Sequence, residues 1–247
     1  MAYCELRYFS KALQKMTAAT IILPESDTPG PYPTLYLLHG LSDDHTAWQR
    51  RTSIERYVQG TPLIVVMPDS GRGFYTDAVA GPAYETAIVE NLRSYVETVF
   101  NASASRGARC LSGLSMGGYG AVKLALRRPD LFCSATSLSG ALGFSHWPLR
   151  DDAWGDEMKR IIGDSAAGGP NDLYALSESV AASDRPAIRI DCGVDDFLIE
   201  DNRAFHKHLD KLGIPHEYEE YPGAHTWDYW DLHIQESIRF HLKNLGV

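Results

Sequence analysis

Two kinds of segment alternate along the chain. Short apolar runs, such as residues 34–38 and 63–67, are typical of strands that are buried on both faces of a parallel sheet. Longer segments carry apolar residues at helical spacing, and residues 84–100 place Ile88, Leu92 and Val96 on one face. The pattern therefore predicts strands that alternate with surface helices.

Eight strands and five main helices follow from this pattern. The predicted strands are residues 4–9, 17–23, 34–38, 63–67, 108–112, 135–138, 187–192 and 216–221, and the predicted helices are residues 46–58, 84–100, 118–126, 200–212 and 228–245. The first two strands are expected to pair antiparallel, and helical crossovers join the other six. This order predicts an α/β fold with a mostly parallel eight-stranded sheet and helices on both faces.

Residues 140–183 break the alternation. They are rich in Trp, Gly, Asp and Pro, with weaker helical patterns at 156–162 and 172–181. A long irregular insertion between two strands of a compact domain usually carries function. We therefore expect one domain over residues 1–247, with residues 140–183 as a cap-like insertion that forms a pocket wall.

Composition and charge narrow the choice of partners. The chain has 247 residues, of which 44% are hydrophobic, enough for one sizeable core. It carries 23 Lys and Arg against 32 Asp and Glu, a net charge of −9, which argues against nucleic acid or an anionic membrane as a partner. The four cysteines are scattered singly, without disulfide or CxxC metal spacing. Neither a signal peptide nor a membrane-spanning run is recognisable, so the sequence predicts a cytoplasmic protein; self-association stays open.

The most informative short motif is Gly113-Leu114-Ser115-Met116-Gly117, between a predicted strand and a predicted helix. A serine with glycines two residues before and after it is typical of a nucleophile elbow, a strained turn that presents the hydroxyl above the sheet. The glycines are required because the strand and the helix approach closely there. Ser115 is thus the candidate nucleophile.

A serine nucleophile needs a general base and a carboxylate that orients the base. Asp195 and Asp196 follow the strand at 187–192, and His225 follows the last predicted strand. These positions match the chain order of nucleophile, acid and histidine in hydrolases built on such a sheet. From position alone, either aspartate could be the acid.

The oxyanion formed during acyl transfer needs two hydrogen-bond donors. The backbone amide of Met116, at the start of the helix, and that of Leu41, after a neighbouring strand, are the candidates. Trp48 and Trp227 are candidates for the substrate pocket, with core packing an equal alternative for each. The chemistry requires no cofactor, and no metal is expected.

Other histidines have less specific interpretations. His39 is expected to support its own turn. His45, near Asp43 and Asp44, is expected to lie in a solvated loop in preference to a cation site. His206 and His208 are two residues apart on a predicted helix and face different directions, so a metal shared by these two is not expected.

Taken together, the motifs resemble the esterase D family of α/β-hydrolases. They are Leu37-Leu38-His39-Gly40, Trp48, Gly113-Leu114-Ser115-Met116-Gly117-Gly118, Cys192-Gly193-Val194-Asp195-Asp196-Phe197-Leu198 and Gly223-Ala224-His225-Thr226-Trp227. The resemblance covers nearly the whole chain and implies the α/β-hydrolase fold. In the family pattern the fourth residue of the Gly-x-x-Asp turn is the triad acid, which selects Asp196. The likeness is greatest to small tributyrin and feruloyl esterases and looser to S-formylglutathione hydrolases.

The sequence thus predicts a serine esterase that hydrolyses short-chain acyl or aryl esters (acetyl, butyryl or feruloyl) through an acyl-enzyme. Three alternatives are an S-formylglutathione hydrolase, an acyltransferase with the same triad, and a binding module without activity.

Overall fold

The computed structural model describes residues 1–25 and 29–247 and contains eight strands there. The strands are β1 (Ala2–Ser10), β2 (Lys15–Leu23), β3 (Thr34–Leu38), β4 (Ile64–Pro68), β5 (Arg109–Leu114), β6 (Ser134–Leu138), β7 (Ala187–Gly193) and β8 (Glu217–Tyr221). They form one sheet in the order β1-β2-β4-β3-β5-β6-β7-β8. β2 is antiparallel to both of its neighbours, and all pairs from β4 to β8 are parallel. The predicted mostly parallel sheet with an antiparallel N-terminal pair is confirmed.

Helices cover both faces of this sheet, as predicted. They are α1 (Ala47–Arg51), α2 (Ile54–Tyr57), α3 (Tyr84–Thr86), α4 (Arg93–Val99), α5 (Met116–Arg127), α6 (Ala153–Ile162), α7 (Leu173–Ser179), α8 (Ile199–Lys211) and α9 (Trp227–Leu245). A π-helical turn, Ala87–Leu92, joins α3 to α4, so the helix predicted at 84–100 is continuous. None of the helices in the described part of the chain combines the length and the apolar character needed to span a membrane.

The core lies in two layers, one on each face of the sheet. Along β3, Leu35 and Leu37 join one hydrophobic cluster, which includes Ile234 of α9. Tyr36 and Leu38 join the other, on the face that α5 and α8 cover. Since side chains alternate across a strand, a fully apolar strand must face apolar partners on both sides.

The helix predicted at 46–58 is divided into α1 and α2, because the chain is extended at Thr52. The carboxylate of Asp231, in α9, accepts hydrogen bonds from the backbone N–H of Ser53 at 2.8 Å and from the Tyr57 hydroxyl at 2.9 Å. A tertiary contact from the far end of the sequence therefore accompanies the break, and local periodicity could not reveal it.

The segment between β6 and β7 carries α6 and α7 and contacts the loop that follows β4. The backbone N–H groups of Val79 and Ala80 donate to the carbonyl oxygens of Ile161 and Arg160, at 3.1 and 2.8 Å. Nearby, the guanidinium of Arg72 pairs with the carboxylate of Glu157. Two segments that are far apart in sequence are thus joined by backbone hydrogen bonds and an ion pair.

Candidate active site

β5 passes into α5 through a sharp turn at Ser115. The backbone angles of Ser115 are φ 53° and ψ −116°, in a region that residues other than glycine rarely occupy. Its backbone N–H donates to the carbonyl oxygen of Leu138, at the end of β6. The turn therefore has the strained geometry of a nucleophile elbow, as the sequence predicts.

The glycines on either side of Ser115 are needed for packing. A Cβ atom at Gly113 would lie 2.4 Å from the backbone carbonyl group of Gly117. A Cβ atom at Gly117 would lie 2.5 Å from the carbonyl oxygen of Leu38, in β3. Backbone atoms cannot give way as a flexible side chain can, so only glycine allows this strand-to-helix approach.

Three of the predicted side chains meet at the carboxyl edge of the sheet. Ser115 Oγ lies 3.0 Å from Nε2 of His225, and Nδ1 of His225 lies 2.8 Å from Oδ2 of Asp196. A carboxylate only accepts hydrogen bonds, so Nδ1 of the imidazole carries the proton. Nε2 is then free to accept the hydrogen bond from the Ser115 hydroxyl.

The two adjacent aspartates have different surroundings. The Asp196 side chain is buried, and its Oδ1 atom accepts a hydrogen bond from the backbone N–H of Leu198 at 2.8 Å. Burial alone would raise the pKa of Asp196, but the hydrogen bonds from His225 and from the Leu198 amide outweigh it and lower the pKa. The Asp195 side chain is exposed, while its backbone N–H donates to the Gly223 carbonyl oxygen in the loop that carries His225. Only Asp196 is therefore placed to orient His225.

Two aromatic rings flank the imidazole of His225. The Trp230 ring is perpendicular to it, with the centroids 4.8 Å apart, and is buried. The Phe197 ring lies 4.5 Å from it and is 75% exposed. Phe197 belongs to the acid-turn motif, but the sequence alone predicts no functional role for it. The signal that could have found it is its position directly after the acid.

Leu41 and Met116, the predicted oxyanion donors, belong to two elements that meet at Ser115. Met116 is the first residue of α5, where backbone N–H groups have no partner within the helix. Leu41 follows Gly40, and a Cβ atom at Gly40 would lie 3.7 Å from the Cβ atom of Ser115. The loop after β3 thus passes directly beside the nucleophile.

Trp48 does not occupy the position suggested for a substrate contact. Its side chain is 1% exposed, and its indole N–H donates to the Leu38 carbonyl oxygen at 2.9 Å. No surface is left for a substrate, so Trp48 is a core residue that supports the end of β3. Trp227 packs edge-on against it, with the ring centroids 5.4 Å apart, and is only partly buried. Of the two tryptophans, Trp227 alone stays a candidate for a substrate contact.

Two other histidines, His39 and His45, are buried outside the triad and support the fold. His39 Nε2 accepts a hydrogen bond from the backbone N–H of Ser70, so its Nδ1–H donates to the Gly40 carbonyl oxygen at 2.7 Å. Burial lowers the pKa of His39, which keeps the ring neutral as a support for its turn, in agreement with the prediction. The solvated loop expected at His45 is wrong, because this ring is buried and hydrogen-bonded to Thr20 of β2.

Within the described residues, three side chains that could ligate a metal lie close together, away from this site. They are His206, Asp210 and His216, near the end of α8 and the start of β8. His216 precedes β8 and His225 follows it, so the three residues lie at the end of the strands opposite the triad.

Similarity to known proteins shows the family of this chain. The Esterase family model matches residues 10–241. The chain belongs to the Esterase family. This esterase is 30% identical to an acetyl esterase of Caldicellulosiruptor saccharolyticus over 98% of this chain and 99% of that protein.

Solved structures agree with this membership. The esterase is similar to the fluorophosphonate-binding serine hydrolase F (FphF) of Staphylococcus aureus, with a TM-score of 0.88 and 35% identity over 98% of each chain. It is also similar to the S-formylglutathione hydrolase (FrmB) of the same organism, with a TM-score of 0.86 and 35% identity over 98% of each chain. The esterase D-like resemblance and the α/β-hydrolase fold are thereby confirmed, and the protein is a serine carboxylic-ester hydrolase.

Proposed function

We propose that this esterase hydrolyses short-chain acyl and aryl esters (acetyl, butyryl or feruloyl) through an acyl-enzyme formed on Ser115. The observation that carries the proposal is the unbroken set of contacts from the Asp196 carboxylate through His225 to the Ser115 hydroxyl. A serine hydroxyl alone is a poor nucleophile, and such contacts activate it. No cofactor enters this scheme.

In the acylation step, Ser115 Oγ attacks the acyl carbon while its proton passes to Nε2 of His225. The imidazolium formed is stabilised by the Asp196 carboxylate, which remains charged because its pKa is lowered. His225 then gives the proton to the oxygen of the leaving alcohol as the ester bond breaks. The acyl group stays on Ser115.

The backbone N–H groups of Leu41 and Met116 hold the oxyanion of the tetrahedral intermediate. The position of Met116 at the start of a 12-residue helix supports this role, because the positive end of the helix dipole favours developing negative charge. The close passage of the Gly40–Leu41 loop beside Ser115 supports the second donor.

Deacylation repeats the same steps with water. His225 removes a proton from water, the hydroxide attacks the acyl carbon, and the proton returns to Ser115 Oγ as the acid leaves. The alternative acyltransferase differs only at this stage, since an alcohol takes the place of water.

The acyl pocket lies between two segments of the chain. We infer that the chain is one domain over residues 1–247, in which residues 140–183 form a cap, and that this cap and residues 71–81 enclose the substrate. The hydrogen bonds of Val79 and Ala80 to α6 support a shared wall. The exposed ring of Phe197 beside His225 supports a contact with an aryl or acyl group, and the partly exposed Trp227 offers a second.

Acetyl esters are the first substrates to try, because the Caldicellulosiruptor relative is an acetyl esterase. A second candidate function is S-formylglutathione hydrolysis, since a structure with that name is 35% identical over nearly the full chain. The same triad would cleave a thioester, with the thiolate as the leaving group.

The partners and the compartment follow from charge and cysteine chemistry. A net charge of −9 supports a small neutral or cationic ester in preference to nucleic acid. Cys4, Cys110, Cys133 and Cys192 are all free thiols, which supports a reducing compartment such as the cytoplasm.

The test is a hydrolysis panel of nitrophenyl acetate, nitrophenyl butyrate, ethyl ferulate and S-formylglutathione, compared by kcat/KM with equal enzyme. We expect acetyl or butyryl esters to give the highest value. A higher kcat/KM for S-formylglutathione would replace the first proposal with the second. Product analysis in the presence of an alcohol acceptor would expose transfer in place of hydrolysis.

The control for the nucleophile is Ser115→Ala, measured on the best substrate and with a fluorophosphonate probe. Loss of a triad member costs about 10⁴- to 10⁶-fold in kcat, so we expect turnover near background and no labelling. Full activity or labelling in this variant would contradict the proposed nucleophile.

A further inference from the structure

The last turn of α8 and the start of β8 bring together two imidazoles and one carboxylate. His206 and Asp210 are one helical turn apart on α8, and His216 is the residue before β8. One ligand atom from each of the three lies within 4.8 Å of the other two. These residues lie at the sheet edge opposite Ser115 and take no part in the proposed reaction.

His216 is the fixed member of this group. Its side chain is 3% exposed, and its Nδ1 atom lies 2.8 Å from the carbonyl oxygen of Ile214. A carbonyl oxygen can only accept, so Nδ1 carries a proton and Nε2 presents a lone pair. This is the arrangement by which proteins orient histidine ligands of metals.

The lone pair of His216 points at the second imidazole. Nδ1 of His206 lies 2.7 Å from Nε2 of His216, and Nε2 of His206 lies 3.4 Å from Oδ2 of Asp210. If both rings are neutral, the proton of His206 lies on Nδ1, and its other lone pair faces a carboxylate. Two imidazoles and a carboxylate this close together form a group that favours a bound metal ion.

The backbone holds the three residues in place. At the end of α8, the N–H of Gly213 donates to the Asp210 carbonyl oxygen at 2.9 Å, and the N–H of Ile214 donates to that of Leu209 at 3.0 Å. Gly213 takes a φ of +63°, which closes the helix with a tight turn. The His206 ring is stacked on Tyr218 of β8, with the centroids 4.1 Å apart.

We propose that His206, Asp210 and His216 bind one divalent transition-metal ion, of which Zn²⁺ is the best fit, with water completing its coordination. Two imidazole nitrogens and one carboxylate oxygen are a common ligand set for such ions. The ion replaces the hydrogen bond between the two imidazoles: it binds Nδ1 of His206 and Nε2 of His216, and the proton of His206 moves to its own Nε2 atom, beside the Asp210 carboxylate.

The three residues differ in how much they must move. Ligands about 2.1 Å from a tetrahedral ion are about 3.4 Å apart, so the two ring nitrogens must separate slightly from 2.7 Å. His206 and Asp210, which are 29% and 61% exposed, are free to make this adjustment around the anchored His216.

The bound ion would cross-link the end of α8 to the start of β8. The chain from Asp196 to His225 runs through α8 and β8, so the ion would fix the far end of the unit that carries the triad acid and base. An ion that binds only the folded state stabilises it, and the effect grows with ion concentration. This cross-link is expected to stabilise the folded state and to leave the contacts of Ser115, His225 and Asp196 unchanged.

The test is calorimetric titration of EDTA-treated, dialysed enzyme with ZnCl₂, together with thermal melts. We expect one Zn²⁺ per chain and a higher Tm with Zn²⁺. CoCl₂ should bind at the same site and give visible absorption bands from its nitrogen and oxygen ligands.

The variants are His206→Gln, Asp210→Asn and the double variant, all at partly exposed positions where folding should be retained. Loss of a residue that merely supports a ligand costs about 10- to 100-fold in affinity, so loss of a ligand should cost at least as much. In the double variant the one-to-one site and the rise in Tm should both disappear. Activity without added metal should equal that of the wild type.

The matched control is His146→Gln, which removes an exposed imidazole paired with the single carboxylate of Asp172. This control should bind Zn²⁺ as the wild type does. A Cys4→Ser variant tests for binding by a thiol. The proposal is overturned if the wild type takes up no stoichiometric Zn²⁺ or Co²⁺, or if the double variant binds either ion with unchanged affinity.

Discussion

The Nδ1 atom of His225 lies 2.8 Å from Oδ2 of Asp196. The neighbouring Asp195 side chain is exposed and contributes only its backbone N–H, which joins the acid loop to the histidine loop. The two aspartates therefore allow a matched comparison. They are the same residue type in one turn, but only the Asp196 side chain contacts His225.

The first prediction concerns this pair. Asp196→Asn should lower kcat by about 10⁴-fold, because an amide stabilises the wrong tautomer of the imidazole and no longer supports its positive charge. Asp195→Asn should leave kcat within about threefold of the wild type, since its backbone contact is kept. The measurement is kcat and kcat/KM for both variants on one nitrophenyl ester. A larger loss in Asp195→Asn than in Asp196→Asn would reverse the assignment.

The second prediction concerns the elbow. Gly117→Ala places a Cβ atom 2.5 Å from the Leu38 carbonyl oxygen, so the loop after β3 must shift. Overpacking of this kind costs about 1 to 3 kcal/mol, which lowers Tm by roughly 2 to 10 °C in a chain of this size. Activity should fall as well, because the displaced loop carries Leu41.

The control for the elbow is Gly107→Ala, where the atom nearest to the added Cβ would be Ser105 Oγ at 3.8 Å. Thermal melts and kcat are measured for both variants. Equal Tm values for the two would show that the close approach at Gly117 does not constrain the fold.

The third prediction concerns Phe197, whose exposed ring lies against His225. An aromatic contact contributes about 0.5 to 1.5 kcal/mol, so Phe197→Ala should lower kcat/KM for aryl esters by roughly 2- to 10-fold, with a smaller change for ethyl acetate. Leu232→Ala, which removes another exposed hydrophobic side chain, serves as the control. An equal loss for aryl and alkyl esters would point to a general effect on His225 and not to substrate contact.

The fourth prediction concerns the buried Asp191 in β7. Burial raises the pKa of Asp191 to about 7, against the partly opposing charge of Arg189 and a hydrogen bond from the Tyr229 hydroxyl. Between the unfolded value, near 4, and about 7, the folded state binds more protons than the unfolded state. This group's contribution to stability is therefore largest at low pH, falls as the pH rises through that window, and is lowest above about pH 7.

Asp191→Asn removes this dependence because the amide stays neutral. At about 1.4 kcal/mol for each pKa unit, the pH-dependent part amounts to a few kcal/mol. Urea unfolding at pH 5 and at pH 8 measures it, and the difference in stability between the variant and the wild type should shift towards the variant at pH 8. Asp151→Asn, at an exposed position, serves as the control for the same substitution elsewhere on the chain. A pH-independent difference for Asp191→Asn would contradict the raised pKa.

Much of this fold and site could be predicted because the relevant signals are local. The apolar strands lie where the pattern places them, and Ser115, Asp196 and His225 follow strands whose carboxyl ends share one edge. Strand ends in a parallel sheet converge, so sequence order was sufficient to bring the three together.

The features that were missed depend on contacts between distant residues. For Trp48, core packing and a substrate contact were equal alternatives, and only the hydrogen bond from its indole N–H to the carbonyl oxygen of Leu38 inside the core decides between them. The break between α1 and α2 accompanies hydrogen bonds to Asp231 from the last helix. In the sequence the nearest histidine to His206 is His208, whereas the neighbours of His206 in space are Asp210 and His216 across a tight turn.

Residues 71–81 and α6 are joined by backbone hydrogen bonds from Val79 and Ala80. Such bonds do not depend on which side chains the residues carry. Side chains on both segments can therefore be exchanged, by mutation or by evolution, while the contact between the segments persists. If the two segments enclose the substrate as proposed, libraries that vary both together should change ester selectivity and leave the contacts of Ser115, His225 and Asp196 unchanged.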